Sequence, residues 1–524
     1  MKKNDPDIKT YILTLLPDAK RVKISEDTLL ADALEDAGVS LPMPCGGKGI
    51  CGKCKVKVDG RLSGKTDIEA KVLHDQPGYR LACQTRIAGN ARVHVQGKIP
   101  VTVEPCPSLD VHADYGMAVD IGTTTIQVAL VDPLHQKNYL LDSFFNPQRR
   151  YGHDVISRIA AAHEPHVFQD LIRIIRKRIY ASMVDMLKAV NLSPQRIRQL
   201  IIAGNTTMLH LFFGLDVTSM GIYPYQAQRL DFYGFKPEDI DCHNIFPNAQ
   251  VLALPAASAF LGSDLVGGLT LCHTEGFCKN TFFIDMGTNG EMFLINSSGQ
   301  IASASCAMGP ALEGMNISCG MTADSGAITH IRLNQDTLEY EMIPNGPPVG
   351  ITGTALIDLL SILLETGHLT SSGSFHPQIE TRILPAPMRY EHTAKGRQIK
   401  LWGNIALTQA DIRSVQLAKG ASLAAAGILL RVIDCLPEDI EHVITTGAFG
   451  QNIEPGNFRR LKFIPDFLSA QYHFLGNASL KAAERACLDN EFINKAYSLR
   501  NQVREIDLAR HPDFEREFIA ALNF

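Results

Sequence analysis

Three cysteines within ten residues, Cys45-Gly-Gly-Lys-Gly-Ile-Cys-Gly-Lys-Cys54, and a fourth, Cys83, after a gap of 28 residues constrain the N-terminal part of this chain more than any other feature. The interleaved glycines, Gly46, Gly47, Gly49 and Gly52, let the backbone curl tightly and aim N–H groups at whatever the thiols hold. Three thiolates from one loop and a fourth from a distant strand is the way a [2Fe–2S] cluster is ligated. A structural zinc site more often shows two C-x2-C pairs and has no use for so many glycines, so it is the lesser alternative, with uninvolved core cysteines a third. The other eight cysteines (Cys106, Cys242, Cys272, Cys278, Cys306, Cys319, Cys435 and Cys487) form no second pattern and are expected to be buried, inert thiols.

Whether thiols stay reduced depends on the compartment. The segment Met1-Lys2-Lys3-Asn4-Asp5 lacks the apolar stretch of a signal peptide. The longest apolar run, residues 421–430, falls short of the roughly 18–20 residues that span a bilayer. A cytoplasmic chain with no membrane partner is expected. The net charge of −5 calls for no nucleic-acid partner. That total hides a division: residues 1–100 carry 17 Lys+Arg against 12 Asp+Glu, a balance of +5, and the remainder carries 33 against 43, or −10. A small basic head precedes a larger acidic body. At roughly 150 residues per domain the 524 residues make three or four units, and 45 % hydrophobic with 20 % charged residues excludes a disordered or coiled-coil chain.

In the head, strand-like runs at 11–16 and 21–24 precede a short helix over 28–37. Strands at 55–58 and 91–95 follow the cysteine loop. Residues 99–113 hold Pro100, Pro105 and Pro107 without periodicity and read as a linker. Beyond it, apolar runs at 117–119, 126–131, 200–203, 281–284, 292–295 and 442–445 read as strands. Leu171, Ile175, Ile179, Met183 and Leu187 recur every four residues, giving an amphipathic helix. The alternation indicates an α/β body. One internal echo stands out: Ala118-Val-Asp-Ile-Gly-Thr-Thr-Thr125 is answered 165 residues later by Phe283-Ile-Asp-Met-Gly-Thr-Asn-Gly290, which suggests two related lobes.

An Asp ending a strand before Gly-Thr is a device for nucleotide phosphates. Turn N–H groups and hydroxyls meet the oxygens, and the carboxylate holds Mg²⁺ directly or through water. Asp120, Gly122, Thr123, Thr124 and Thr125 form one copy, and Asp285, Gly287, Thr288 and Asn289 the other. Asp120, Asp285 and Glu291 are the candidate catalytic carboxylates, with Asp285 or Glu291 placed to orient a water. Gly447 and Gly450, in His442-Val-Ile-Thr-Thr-Gly-Ala-Phe-Gly450, suit close approach by an adenosine. Leu200-Ile-Ile-Ala-Gly-Asn-Thr-Thr-Met208 is another strand ending in Gly-Asn-Thr. His153 and Asp154 could be catalytic, although a surface or capping role is commoner for such a pair. A degenerate body that binds no nucleotide is the alternative.

Several segments resemble known families. The cysteine loop and Leu81-Ala-Cys-Gln-Thr85 resemble the plant- and vertebrate-type ferredoxin domain over about residues 8–98, with a first gap of five residues in place of four. The Asp-Gly-Thr turns and the Gly447–Gly450 segment resemble the phosphate-1, phosphate-2 and adenosine motifs of the sugar-kinase, heat-shock ATPase and actin superfamily. Asn146-Pro-Gln-Arg-Arg-Tyr-Gly-His-Asp-Val-Ile-Ser-Arg-Ile159, Ala307-Met-Gly-Pro-Ala-Leu-Glu-Gly314 and Val415-Gln-Leu-Ala-Lys419 are similar to segments of the reductive activators of corrinoid-dependent proteins.

The resemblance implies a β-grasp ferredoxin-like α+β head (residues 1–98), a linker (99–115) and a two-lobed α/β actin/sugar-kinase-like ATPase body (116–275 and 276–524). It also implies ATP-dependent conversion of a corrinoid protein from Co(II) to Co(I), with a [2Fe–2S] cluster, ATP and Mg²⁺ as cofactors. The loop 303–314, with Ser303 and Ser305, is the candidate to present an oxygen to the partner's cobalt, the alternative being that both serines are turn residues. The basic head, with Lys53, Lys55 and Lys57, suggests an acidic low-potential ferredoxin as electron donor, and a homodimer is plausible for such a body. Competing readings are a redox-gated ATP-binding sensor and an ATP-driven activator of a different metalloenzyme.

Overall fold

The computed structural model describes residues 9–94, 109–447 and 453–524, apart from residues 18, 40, 42, 44–46, 51, 74–75, 310, 315–316, 324, 345 and 394–395 and the side chains of 140 and 141. Cys45, Cys51, Cys106, Gly450 and most of the proline-bearing linker lie outside the described residues.

The head is one five-stranded sheet in the spatial order Lys20–Ser25, Thr10–Leu16, Ile87–His94, Lys55–Leu62, Tyr79–Leu81. Strict alternation of buried and exposed residues along Ile87–His94 gives the sheet one dry face and one wet face. Leu30, Ala33 and Leu34 of the helix Leu30–Asp36 close the dry face against Leu13, Leu15, Val56 and Val93. An antiparallel first hairpin whose opening strand runs parallel to Ile87–His94 is the β-grasp arrangement.

The body repeats one topology. In the first lobe the order is Gln250–Ala253, Ile197–Gly204, Tyr115–Ile121, Thr125–Asp132, Lys137–Phe145. In the second it is Gln471–Phe474, His442–Thr446, Thr281–Met286, Asn289–Ile295, Ile301–Ala307, with Val503–Glu505 added at the edge. Each lobe is an antiparallel three-strand meander followed by two strands parallel to its first. The 165-residue echo is thus the visible part of a duplicated sheet. Both Asp-Gly-Thr copies sit at the first hairpin of their meander.

The faces the two sheets turn toward each other share one core. Ala118 and Ile201 from the first lobe meet Phe283 and Ile444 from the second through Leu265, Leu269, Ala482 and Ala486. Those last four lie on the helices Ser263–Thr274 and Ala478–Leu488. The latter follows the strand Gln471–Phe474 of the second sheet yet packs on Tyr115–Ile121 and Ile197–Gly204 of the first. Burial on both sides explains why Tyr115–Ile121 is apolar without alternation.

The apolar run 421–430 lies inside a 24-residue helix, Gln409–Val432, the one described helix long and apolar enough to cross a membrane. Most of that helix is buried, and it packs on the strands Ile301–Ala307 and Asn289–Ile295. Ser303 and Ser305 belong to the strand Ile301–Ala307 and to neither a loop nor a turn; Ser303 is fully buried and donates to the Met292 carbonyl, 2.8 Å away. Because that strand lies inside the sheet, Ser303 has no route to a partner's cobalt.

Candidate functional site

In the head, Cys54 and Cys83 bring their sulfurs to 3.3 Å, somewhat inside the ~3.8 Å that separates two thiolates on one tetrahedral metal at about 2.3 Å each. The turn before Cys54 has left-handed glycines at 47, 49 and 52. At Gly49 (φ +76°) a Cβ would also press within 2.8 Å of Ile68 Cγ2 and 3.0 Å of the Gln84 side chain, so the loop admits no larger residue there. The Cys54 thiol, helped by the Gln84 amide and the Gly49 N–H, draws the Cys83 thiol down to about 7 against the opposing effect of burial. The dispersed cysteines differ: burial pushes Cys242 and Cys435 up to about 11 and Cys306 and Cys319 up to about 12. A thiolate-favouring Cys83 against Cys54, amid inert thiols, suits a cationic cluster, and the head residues fit one.

In the body the two hairpin turns face each other. Thr124 Oγ1 lies 3.4 Å from Thr288 Oγ1, and the Glu313 carboxylate accepts from both, at 2.9 Å from Thr124 and 2.6 Å from Thr288. The first turn is braced by its neighbours. Asn205 caps the helix Thr206–Phe213 through its Oδ1 and donates from Nδ2 to Thr123 Oγ1 at 2.9 Å, which is the structural use of the Gly-Asn-Thr strand end. Asn146 donates to the Gly122 carbonyl at 2.9 Å, and the buried Arg158 donates to the Thr123 carbonyl at 2.5 Å. These contacts explain why the segment 146–159 carries so many polar residues. Within it, Asp154 caps the helix Val155–Ala162 by accepting from Ser157 N at 2.7 Å, with His153 at 3.4 Å.

Beneath the turns the carboxylates converge. Asp120 accepts from Asn477 Nδ2 and Ser479 Oγ, each at 2.7 Å, at the start of the returning helix. Burial raises its pKa nonetheless. Asp285 pairs in register with Glu291 across the second hairpin. Burial, then the charges of Asp264 and Asp120, push Asp285 up to about 7. Asp264, one residue into the helix Ser263–Thr274, is pushed up to about 7 by burial and by Asp120. Burial, with the charges of Asp264 and Asp285 nearby, pushes the Glu291 carboxyl well above its ordinary value. Like charges packed this closely call for a cation or for protons. Among the described residues no three His, Cys, Asp or Glu side chains are arranged as a metal cage.

Gly447 ends the strand His442–Thr446 with φ +94°. A Cβ there would stand 2.7 Å from Asp285 Oδ1 and 2.8 Å from the Met286 carbonyl. The third motif therefore abuts the second Asp-Gly-Thr turn. Asp264, Glu313 and Asn477 are the residues of this site that sequence reasoning did not single out. A helix-start pair Ser-Asp after Gly262, and the Gly-Asn-Ala-Ser segment at 476–479, are the faint signals that could have drawn attention to two of them.

Comparison with known proteins finds three matching family models along the chain. Residues 14–88 match the 2Fe-2S iron-sulfur cluster binding domain, residues 115–275 the RACo middle region, and residues 279–524 the C-terminal domain of RACo, the ASKHA domain. The corrinoid activation enzyme RamQ of Eubacterium limosum is 25 % identical over 95 % of this chain and 97 % of its own. The [Co(II) methylated amine-specific corrinoid protein] reductase of Methanosarcina barkeri is 23 % identical over 78 % and 77 %. A solved reductive activator for corrinoid, iron-sulfur protein superposes with a TM-score of 0.70 at 26 % identity, covering 98 % of both chains. With a ferredoxin head, the middle region and the ASKHA domain in that order along its length, the chain belongs to the RACo family.

Proposed function

We propose that this chain performs ATP-dependent reductive activation of a corrinoid protein, passing one electron from its head to return inactive Co(II) to Co(I). The observation that carries this reading is a physical link between the two sites. Lys53, between Gly52 and Cys54 of the cysteine loop, donates from Nζ to the Gly320 carbonyl at 3.3 Å. Gly320 lies against Gly314, next to the Glu313 that bridges both phosphate turns. The salt bridges Arg150–Asp32 (2.9 Å) and Lys177–Asp36 (2.8 Å) also join body to head.

In this reading Cys45, Cys51, Cys54 and Cys83 hold a [2Fe–2S] cluster, which supplies a single electron at a potential of about −400 mV by plant-type analogy. Thr123, Thr124, Thr288 and Asn289, with the turn glycines, receive the phosphates of ATP. Asp120, Asp264 and Asp285 face its Mg²⁺, and Gly447 makes room for the adenosine. ATP acts as a conformational switch: each lobe contributes one turn, so occupancy of the cleft biases how the lobes, and the head resting on them, are arranged. The head spans residues 1–98, the linker 99–115 and the lobes 116–275 and 276–524, with the helix Ala478–Leu488 returning to the first.

The test is anaerobic mixing with a Co(II) corrinoid protein, a low-potential reductant and Mg-ATP, following the Co(I) absorption band. ATP-dependent Co(I) is expected, and its absence with every corrinoid partner tried would overturn the proposal.

The electron donor follows from charge. Lys55 and Lys57 are exposed on the strand that leaves the cysteine loop, Lys55 lying 5.0 Å from the Tyr79 ring centroid. A donor of acidic ferredoxin type suits them. Reversing both charges (Lys55→Glu with Lys57→Glu) is expected to slow reduction by such a donor about tenfold at low ionic strength, the difference shrinking as salt is added. An unchanged rate and salt dependence would place the donor elsewhere.

A further inference from the structure

We propose that the terminal phosphate of a nucleoside triphosphate displaces the Glu313 carboxylate from between the two phosphate turns and is received by Arg149. The inference rests on the nucleotide reading of the cleft and adds how that cleft tells a triphosphate from a diphosphate.

The first observation is that an anion already occupies the place. The Glu313 oxygens accept from Thr124 of one lobe and Thr288 of the other, and no other described side-chain acceptor bridges the two turns. A carboxylate held by two hydroxyls from opposite turns marks where a phosphate oxygen can be held by the same donors. A terminal phosphate and Glu313 cannot share that space, because both are negative.

The second observation is independent of Glu313. Arg149 is 4 % exposed, and its Nε and Nη1 have no hydrogen-bond partner among the described residues. Its guanidinium lies 4.2 Å from the Phe145 ring centroid. The carboxylates that act on it are Glu313 and, from the head helix Leu30–Asp36, Glu35, neither at hydrogen-bond distance from Nε or Nη1; Arg158 adds a second positive charge beside it. Burial of an unsatisfied guanidinium is costly, and its planar fork is shaped for phosphate. Arg149 is also held in place. Asn146, at the start of the same short helix Pro147–Arg150, donates its backbone N–H to the Thr124 carbonyl at 2.8 Å and its side chain to the Gly122 carbonyl. The orphaned donors are therefore fixed relative to the first phosphate turn.

A diphosphate lacks the group that competes with Glu313 and leaves the Thr124–Glu313–Thr288 bridge standing. A triphosphate breaks it, and the Glu313–Gly314 segment that lies against Gly320, the acceptor of the head's Lys53, is released with it.

Binding of Mg-ATP and Mg-ADP to the full chain, measured by calorimetry, tests this. Arg149→Ala is expected to weaken ATP about 10- to 100-fold, as for loss of a charge-assisted hydrogen-bond pair, while ADP changes by less than about threefold. Arg149→Lys should fall between. Glu313→Gln, which keeps the shape but removes the competing charge, is expected to tighten ATP several-fold, on the order of 1 kcal/mol by the tenfold-per-1.4 conversion, and to leave ADP unchanged. Equal weakening of both nucleotides by Arg149→Ala, the result of a merely structural role, overturns the proposal, as does an unchanged ATP affinity in Glu313→Gln. Failure of the unaltered chain to bind either nucleotide is a separate result that overturns the nucleotide reading itself.

Discussion

Exchanging Cys83 for serine is expected to reduce ATP-dependent Co(I) formation to background, a fall of about a thousandfold or more, equivalent to about 4 kcal/mol in the barrier. The argument is local. Cys83 is 6 % exposed in the head core, and its sulfur is 3.3 Å from that of Cys54. Serine nearly preserves the volume, and Leu13, Leu15, Val56 and Val93 still close the sheet against Leu30 and Leu34. A hydroxyl does not give up its proton as a thiol held near 7 does, so the anionic ligand is lost while the fold survives. The visible absorption of a [2Fe–2S] centre should disappear, and nucleotide binding by the body, which draws on none of these residues, should remain. Loss of the absorption with Co(I) formation retained would remove the head from the electron path.

What could be read from the sequence was whatever is local. The cysteine loop announces itself because three ligands and their glycines fall within ten residues. The two Asp-Gly-Thr turns could be seen because each is a complete strand–turn–strand, and their repetition reflects a sheet built twice with one strand order. Glu313, by contrast, reaches Thr124 across 189 residues, and Asn477 reaches Asp120 across 357. Such contacts leave no periodicity, since a single polar residue at a helix start or in a glycine-rich stretch looks like any other turn. Ser303 and Ser305 illustrate the converse: small polar residues suggested a loop, but cross-strand pairing with Phe293 and Glu291 placed them in a sheet. Propensity yielded to tertiary pairing there.

The buried carboxylates lead to a variant whose two readouts should move in opposite directions. Asp285 is pushed up to about 7 from an ordinary value of 3.8, by burial first and then by Asp264 and Asp120. The folded chain therefore binds this proton more tightly than the unfolded chain does. The resulting stabilisation is complete below about pH 4 and is lost as pH rises through 7. Above pH 7 the fold carries a buried charge beneath the second Asp-Gly-Thr turn. Asp285→Asn keeps the shape and removes the charge. Its nucleotide-free form should be more stable than the unaltered chain at pH 8, by about 1–2 kcal/mol, and equal to it near pH 4, as read by chemical unfolding at both pH values. In the proposed function the same substitution removes a carboxylate assigned to the Mg²⁺ of the nucleotide, so ATP-dependent Co(I) formation should fall by about a hundredfold or more. Gly447, whose absent Cβ would meet Asp285 Oδ1 at 2.7 Å, couples the third motif to the same carboxylate. A stability difference that did not vary with pH would refute the buried-charge argument, and full activity in Asp285→Asn would take this carboxylate out of the nucleotide site. A stabilised but inactive variant is the signature of a residue kept for a cation and not for the fold.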